Sequence, residues 1–246
     1  IRLFLMQSGY DMDRIITLGA PEERTFMTGN IKFDITGMSD DYARAGERLC
    51  ARIEKTKGQL WIVAGSTHPG EEEMMLDVFS GLKTQFPLVR LLLACRHIER
   101  VEEVSRLIRE KGLRFSLFSA QKPDTDSSII LLDTVGDLKY LYMTADVVFI
   151  GGSLVKKGGH NFIEPALFGK AIVCGQYLFN FQDIAELFLR EDAMLVAHDK
   201  GQLREHLAKL LSDSQYREQL GKKAKCLVDQ NKGAVERILE KIIKSL

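Results

Sequence analysis

The chain has 246 residues, of which 45% are hydrophobic and 28% charged, the profile of a globular protein with a filled core. Its 34 Lys and Arg balance 34 Asp and Glu, so no basic excess exists to make nucleic acid the main partner. No apolar run approaches the roughly 20 residues that cross a bilayer as a helix, no signal peptide is evident, and Cys50, Cys95, Cys174 and Cys226 stand far apart with no CxxC pair, which predicts buried thiols in a reducing compartment and neither a disulfide frame nor a zinc site.

The chain begins without Met on IRLFLMQS, already strand-like, so it is expected to be a piece of a longer protein. Residues 1–34 read as strand, helix and strand (Leu3–Met6, Asp11–Leu18, Thr25–Thr28), the end of an upstream domain. GNIKFDITGMSDD follows as a linker, and residues 35–246 form the main domain. Apolar runs rich in Val, Ile, Leu and Phe then recur at Leu60–Ala64, Val89–Ala94, Arg114–Phe118, Ile129–Leu132, Val147–Ile150, Ala171–Cys174 and Met194–Val196. Unbroken apolar runs of this length suit strands buried on both faces of a parallel sheet. Helical patterns lie between most of them, at Glu71–Gln85, Arg100–Glu110, Asp137–Thr144, Pro165–Phe168 and Ile184–Leu189. Three more follow, at Gly201–Leu211, Gln215–Asp229 and Val235–Lys244; Gln121–Ser128 reads as a polar loop. Strand and helix in alternation predict a doubly wound α/β domain.

In such a sheet, ligands bind at the carboxyl ends of the strands. Four segments fall there. GSTHPGEEE (65–73) has the grammar of a helix start, with Pro69 at the first position, Ser66 and Thr67 as caps and acids on the positive end of the dipole; His68 is the addition that could donate to an anion. CRHIER (95–100) sets Arg96 and His97 at a strand end, within reach of a phosphate or a base, although an exposed basic turn paired with Glu99 or Glu102 accounts for it equally. DTVGDLKYLY (133–142) opens a helix at Gly136, Asp137 and Leu138, whose first N–H groups are free for a ligand.

GGSLVKKGGHNFIEPALFGK (151–170) is the most specific of the four. Gly151, Gly152, Gly158 and Gly159 let backbone amides approach a ligand, and amides aimed into a helix start favour phosphate. Glu164, beside the cap, would repel a phosphate on top of it and suits a sugar's hydroxyls better, with His160 and Asn161 nearer the anion. The segment is neither GxGxxG nor a P-loop. Together the four segments predict a nucleotide pocket, with phosphate on glycine amides, ribose on Glu164 and base between Arg96 and the Asp133–Leu138 turn.

TGNIKFD (28–34), STHPGEEE (66–73), RHIER (96–100), DTVGDLKYLYMTADVVFIGGSLV (133–155), GGHNFIEPALFGK (158–170) and FNFQDIAE (179–186) occur in order along nearly the whole chain, and this set resembles the bacterial 3-deoxy-D-manno-octulosonic acid (Kdo) transferases, which move Kdo from CMP-Kdo to lipid A precursors. It departs from the family pattern at Cys95, Ile98, Phe162 and Tyr177. The resemblance implies a GT-B glycosyltransferase, of which this chain is the Rossmann-like C-terminal, donor-binding half. It implies inversion without a bound metal or other cofactor, in keeping with the lack of a clear DxD-like metal site beside the proposed pocket, and a glutamate base in the N-terminal domain, upstream of residue 1. Leaving-group charge would fall on the Gly158–Asn161 amides, assisted by Arg96 and Ser153; Lys32 and His68 would meet the Kdo carboxylate. The implied setting is the cytoplasmic face of the inner membrane, with anchor and acceptor surface in the missing part. A transferase or epimerase using a UDP-sugar, and a non-catalytic nucleotide-binding module, remain the alternatives.

Overall fold

The computed structural model describes residues 1–34, 40–120 and 127–245. The chain divides into two compact units, Met38–Lys225 and a smaller one made of Ile1–Gly37 with Cys226–Leu246. The smaller unit starts as the sequence predicts: β1 (Phe4–Met6) and β2 (Thr25–Met27) pair in parallel across α1 (Gly9–Thr17). Ser8 caps α1, its hydroxyl oxygen accepting from Asp11 N at 3.1 Å. Of the expected linker, Ile31–Phe33 forms a single 3-10 turn and residues 35–39 lie outside the described residues.

The larger unit opens with α2 (Asp40–Ala51), which the sequence reading did not contain. Then come β3 (Leu60–Thr67), α3 (Glu71–Gln85), β4 (Val89–Cys95), α4 (Val101–Glu110), β5 (Phe115–Leu117), β6 (Ile129–Leu131), α5 (Leu138–Leu141) and β7 (Val147–Ile150). The unit continues with α6 (Ile163–Leu167), β8 (Ala171–Gly175), α7 (Gln182–Arg190), β9 (Leu195–Ala197), α8 (Lys200–Ser212) and the start of α9 (Ser214–Asn231). All seven strands are parallel, in the order β5-β6-β4-β3-β7-β8-β9. This is the doubly wound α/β fold expected from the alternating pattern. Ile62, Val63, Ala64, Leu91, Leu92, Leu93, Val147, Val148 and Phe149 are fully buried, and burial on both faces is why these strands read as continuous apolar runs.

The strands before β7 lie on the β3 side, as β3, β4, β6 and the edge strand β5, and those from β7 onward run outward on the other side. The chain therefore reverses its build direction between β3 and β7, and the crevice beyond their carboxyl ends is where such sheets bind ligands. The strand ends meet there closely. A Cβ on Gly151 would lie 2.3 Å from Ser66 O and 2.5 Å from Thr67 Cα, so only glycine fits.

Some local expectations fail. Cys174 is buried, but Cys50 and Cys95 are half-buried and Cys226 is exposed; a cysteine's spacing does not record its helix face. Of the polar loop expected at Gln121–Ser128, residues 121–126 lie outside the described residues. Ser127 and Ser128 are buried, their carbonyls accepting from Arg90 Nη1 at 2.6 Å and Leu91 N at 3.0 Å. The last helix, α10 (Ala234–Ser245), folds with the first residues of the chain. The Asp34 carboxylate accepts from Gly233 N and Val235 N, both at 2.6 Å, and so caps its start. Arg237 Nε donates to Thr28 O at 2.8 Å. Amphipathic periodicity gives a helix but not the unit it joins.

Two alanine substitutions separate steric need from chain entropy. Gly151→Ala meets backbone on both sides and should lose about 1–3 kcal/mol. Gly81→Ala, inside α3 with only ordinary contacts to Arg204 at 3.7 Å, should gain about 0.5–1 kcal/mol. Urea unfolding of the two variants should show shifts of opposite sign.

Candidate functional site

The floor of the crevice is a carboxylate. Glu71, the first residue of α3, is 1% exposed and receives four backbone N–H groups. Its Oε2 accepts from His68 N at 3.0 Å and Gly152 N at 2.7 Å; its Oε1 accepts from Ser153 N at 3.0 Å and Leu154 N at 2.9 Å. The turn after β3 and the loop after β7 are thereby joined through one side chain. Burial pushes the carboxyl above its ordinary range and the four amides oppose that shift. The donors leave no place for a carboxyl proton, so the ionised form is the one that fits.

This arrangement corrects several expectations for the first glycine pair. The Gly152 amide does not face a ligand; it belongs to Glu71. Ser153 is fully buried, its hydroxyl donating to Ile150 O and accepting from Gly175 N at 2.6 Å, so it cannot reach a leaving group. Ser66 and Thr67 do not cap α3, whose cap is Gly70. Thr67 is buried and donates to Ala94 O at 3.4 Å. Ser66 sits at φ 56°, a left-handed conformation rare outside glycine and associated with sites where surrounding structure enforces it.

Above that floor, a cavity of about 350 Å³ opens between two turns. Ser66, Arg96, His97, Thr134, Gly136 and Leu138 line it, with Val135, 81% exposed, at its edge. Arg96 is exposed and has no ion-pair partner among the described residues. His97 stands 3.6 Å from Glu99, as the plainer reading of that turn expects. Gly136, at φ 88°, shapes the second turn. Asp137 accepts from the Thr134 hydroxyl at 2.6 Å, so it holds that turn in shape and is absent from the cavity wall. Arg100 anchors the first turn through the buried Glu72, at 2.7 Å.

Three imidazoles lead from the cavity to the glycine loop. The His97 ring meets His68 edge-on at 5.7 Å, and His68 lies edge to edge with His160, ring centres 5.1 Å apart and planes 6° from parallel. The Nε2 atoms of His68 and His160 are 2.8 Å apart, so one ring donates and the other accepts. Burial first, then His68, Arg96 and His97, lower the His160 pKa from 6.5 to about 4; burial and His97 lead in lowering that of His68.

Before His160, the second glycine pair adopts the positive φ that glycine permits. Gly158 and Gly159 sit at φ 90° and 73°, and Asn180 Nδ2 ties the loop down through Lys157 O at 2.9 Å and Gly159 O at 3.2 Å. Gly159 N is bonded to Gly152 O at 2.8 Å. The N–H groups of Gly158, His160 and Asn161 have no protein acceptor among the described residues. The Asn161 side chain does not lie ready for an anion. Its Oδ1 accepts from Ile163 N at 3.0 Å and its Nδ2 donates to Glu164 Oε1 at 3.1 Å, which fixes the acid. Glu164 lies inside the first turn of α6, and Pro165 is third in that helix, not first as predicted. Burial raises the Glu164 pKa against the pull of Asn161 and Lys139. Lys32 is exposed on the 3-10 turn of the smaller unit.

Sequence reasoning missed Glu71 as the clamp and the His68–His160 pair. The signal for Glu71 was present: three consecutive glutamates start a helix at the sheet edge, where one must turn inward. Among the described residues no group of three or more His, Cys, Asp or Glu is arranged to hold a metal ion, and no helix is long and apolar enough to cross a membrane.

Two measurements follow from this geometry. Glu71→Gln sets an amide donor against two N–H groups and should cost about 3 kcal/mol in urea unfolding, the scale of a lost charge-assisted bond. His160 titrates at 6.5 when unfolded and about 4 when folded. The unfolded chain therefore binds more protons between those values, and His160's contribution to stability, complete above about pH 6.5, is lost as pH falls toward 4. His160→Asn should flatten the dependence of unfolding free energy on pH across that window.

No family model matches the chain. Curated relatives do: 3-deoxy-D-manno-octulosonic acid transferase of Haemophilus influenzae is 34% identical over 242 residues, 98% of this chain and 56% of the relative. That of Aquifex aeolicus is 32% identical over 210 residues, 85% of this chain and 54% of the relative. The chain thus spans about half the length of the curated relatives it matches. Among solved structures, the C-terminal CMP-Kdo binding domain of WaaA from Acinetobacter baumannii aligns with a TM-score of 0.72 and 27% identity, over 78% of this chain and all of that one. Anabaena HepE in complex with UDP and glucose aligns at TM-score 0.60 and 16% identity, over 100% of this chain and 63% of that one, a likeness of fold. The chain carries the α/β fold of a GT-B glycosyltransferase domain and is a homologue of the bacterial 3-deoxy-D-manno-octulosonic acid transferases.

Proposed function

We propose that this chain is the donor-binding part of a Kdo transferase and that its crevice holds the CMP portion of CMP-Kdo. The observation that carries the reading is the row of imidazoles from His97, which lines the 350 Å³ cavity, through His68 to His160, in the loop where the Gly158, His160 and Asn161 N–H groups have no protein acceptor among the described residues. In this reading the base enters the cavity between the Arg96–His97 and Thr134–Leu138 turns. The phosphate lies on the open amides. Glu164, one oxygen of which is engaged by Asn161, offers the other to the ribose hydroxyls.

The chemistry asked of these residues is leaving-group stabilisation. As the sugar departs, charge grows on the phosphate, and preset N–H groups with the exposed Arg96 guanidinium meet that charge without reorganising. The base that deprotonates the acceptor is, in this proposal, supplied from outside these 246 residues, as are the lipid A precursor site and the contact with the inner membrane. Residues 1–34 belong in this reading to the acceptor-side domain.

Titration calorimetry with CMP tests the site. Glu164→Ala removes a charged acceptor and should weaken CMP by about 10- to 100-fold, and 2′-deoxy-CMP should show a similar loss on the unsubstituted chain. Equal binding of CMP by both proteins would take Glu164 out of the site, and UDP binding more tightly than CMP would move the donor to the UDP-sugar class.

A further inference from the structure

The two histidines above the Glu71 clamp have a single place for a proton between them. Their Nε2 atoms are 2.8 Å apart, and two neutral rings make that contact only with one proton on the shared line. The pair fits because Gly152 lacks a side chain: a Cβ there would stand 3.0 Å from His160 Cδ2 and 3.3 Å from His68 Cδ2. A glycine whose amide feeds Glu71 thus also makes room for the paired rings.

The groups facing the pair are mostly cationic or able to become so. His97 and Arg96 come from the turn after β4, Lys157 from the loop after β7, and Arg100 from the start of α4; of the acids of α3, Glu72 is paired with Arg100 and Glu71 is engaged by four backbone N–H groups, that of His68 among them. Such surroundings keep the free pair uncharged. Bound phosphate would change the balance. His160 carries one of the open N–H groups as well as a ring of the pair, so an anion on that amide lies beside the ring, where its charge favours the imidazolium.

We propose that the His68–His160 pair takes up one proton from solvent when a phosphomonoester dianion settles on the Gly158–Asn161 loop, making the site respond to the charge of its ligand. The inference rests on the reading of that loop as the seat of the CMP phosphate. The proton adds to a ring nitrogen lone pair, giving an imidazolium, and no other bond is made or broken in that step. During sugar transfer the bond from the anomeric carbon to the phosphate oxygen breaks and its electron pair stays on CMP. A diester with one negative charge becomes a monoester approaching two. The added proton answers that second charge, so the pair strengthens binding as the leaving group forms, where it aids catalysis.

Calorimetry of this chain near pH 7, in two buffers of different ionisation enthalpy, measures the protons taken up. CMP should bind with uptake of about half a proton or more beyond the titration of its own phosphate, while the methyl ester of CMP, a diester, should bind with almost none. Replacing both rings, His68→Gln together with His160→Gln, keeps hydrogen-bonding side chains but removes every protonatable nitrogen of the pair, and uptake should fall toward zero. Imidazole 15N shifts of the unsubstituted protein should show an imidazolium only with CMP bound. CMP binding without proton uptake, or uptake unchanged by the double substitution, overturns the proposal and leaves the nucleotide reading standing. Absence of binding by both CMP and its methyl ester overturns the nucleotide reading itself, and this inference with it.

Discussion

A carboxylate can accept four hydrogen bonds, and Glu71 accepts four from the backbone alone. The turn after β3 and the loop after β7 are placed by it together. The strands β3 and β7 come together through the sheet, but the segments that leave them would otherwise be two polar loops at a sheet edge. Such loops have unmet N–H groups, and burying one without a partner costs about 1–3 kcal/mol. One ionised side chain serves four of them and joins the two loops at once. The need for glycine at 151 and 152 follows from the same closeness, since the first meets the backbone of β3 and the second meets the histidine pair.

That clamp divides the glycine-rich segment into two parts with opposite roles. The first pair faces inward and its neighbouring amides are satisfied by an internal anion. The second pair is held from the other side by Asn180 and leaves N–H groups open. A protein carboxylate and a ligand phosphate thus make the same demand on backbone, a concave run of N–H donors, and this loop meets it twice. The negative charge below does not repel an anion above as an isolated carboxylate would, because four amide dipoles point at it and Arg96 and Lys157 stand nearer the open side.

The layers of this fold are plain in the sequence because the central strands are buried on both faces, and such burial leaves unbroken apolar runs at 60–64, 91–94 and 147–150. From that alternation follow the carboxyl ends of the strands, and with them the four segments that fall there; the switch point needs the strand order, which only the folded sheet shows. Side-chain direction does not follow. Glu71, Glu72 and Glu73 are the same residue three times; only the packed helix shows that the first holds a loop, the second holds Arg100 and the third is exposed. Ser153 reads as a ligand-binding hydroxyl until β8 closes over it. The helix α2 was hidden because its charged sequence follows two glycines and turn formers, and its reason for being helical lies in a distant partner, with Tyr42 packing on Tyr140 at 4.5 Å between ring centres.

Glu164 shows how an acid can serve an anion site. On sequence alone its place at the start of a helix competes with phosphate for the same positive end of the dipole. Asn161 resolves that competition. Its amide oxygen takes the Ile163 N–H that would otherwise be open at the helix start, and its amide nitrogen holds Glu164 to one side. The backbone N–H of Asn161 is left facing the loop. One short side chain therefore gives the amides to one ligand group and the carboxylate to another, and burial keeps that carboxylate from being a fully hydrated charge. The same economy appears in the histidines, which stay neutral in cationic surroundings until an anion makes their charge favourable. Anion, acid and base can be neighbours in this crevice because each charge is set by backbone or side-chain donors fixed in advance of the ligand.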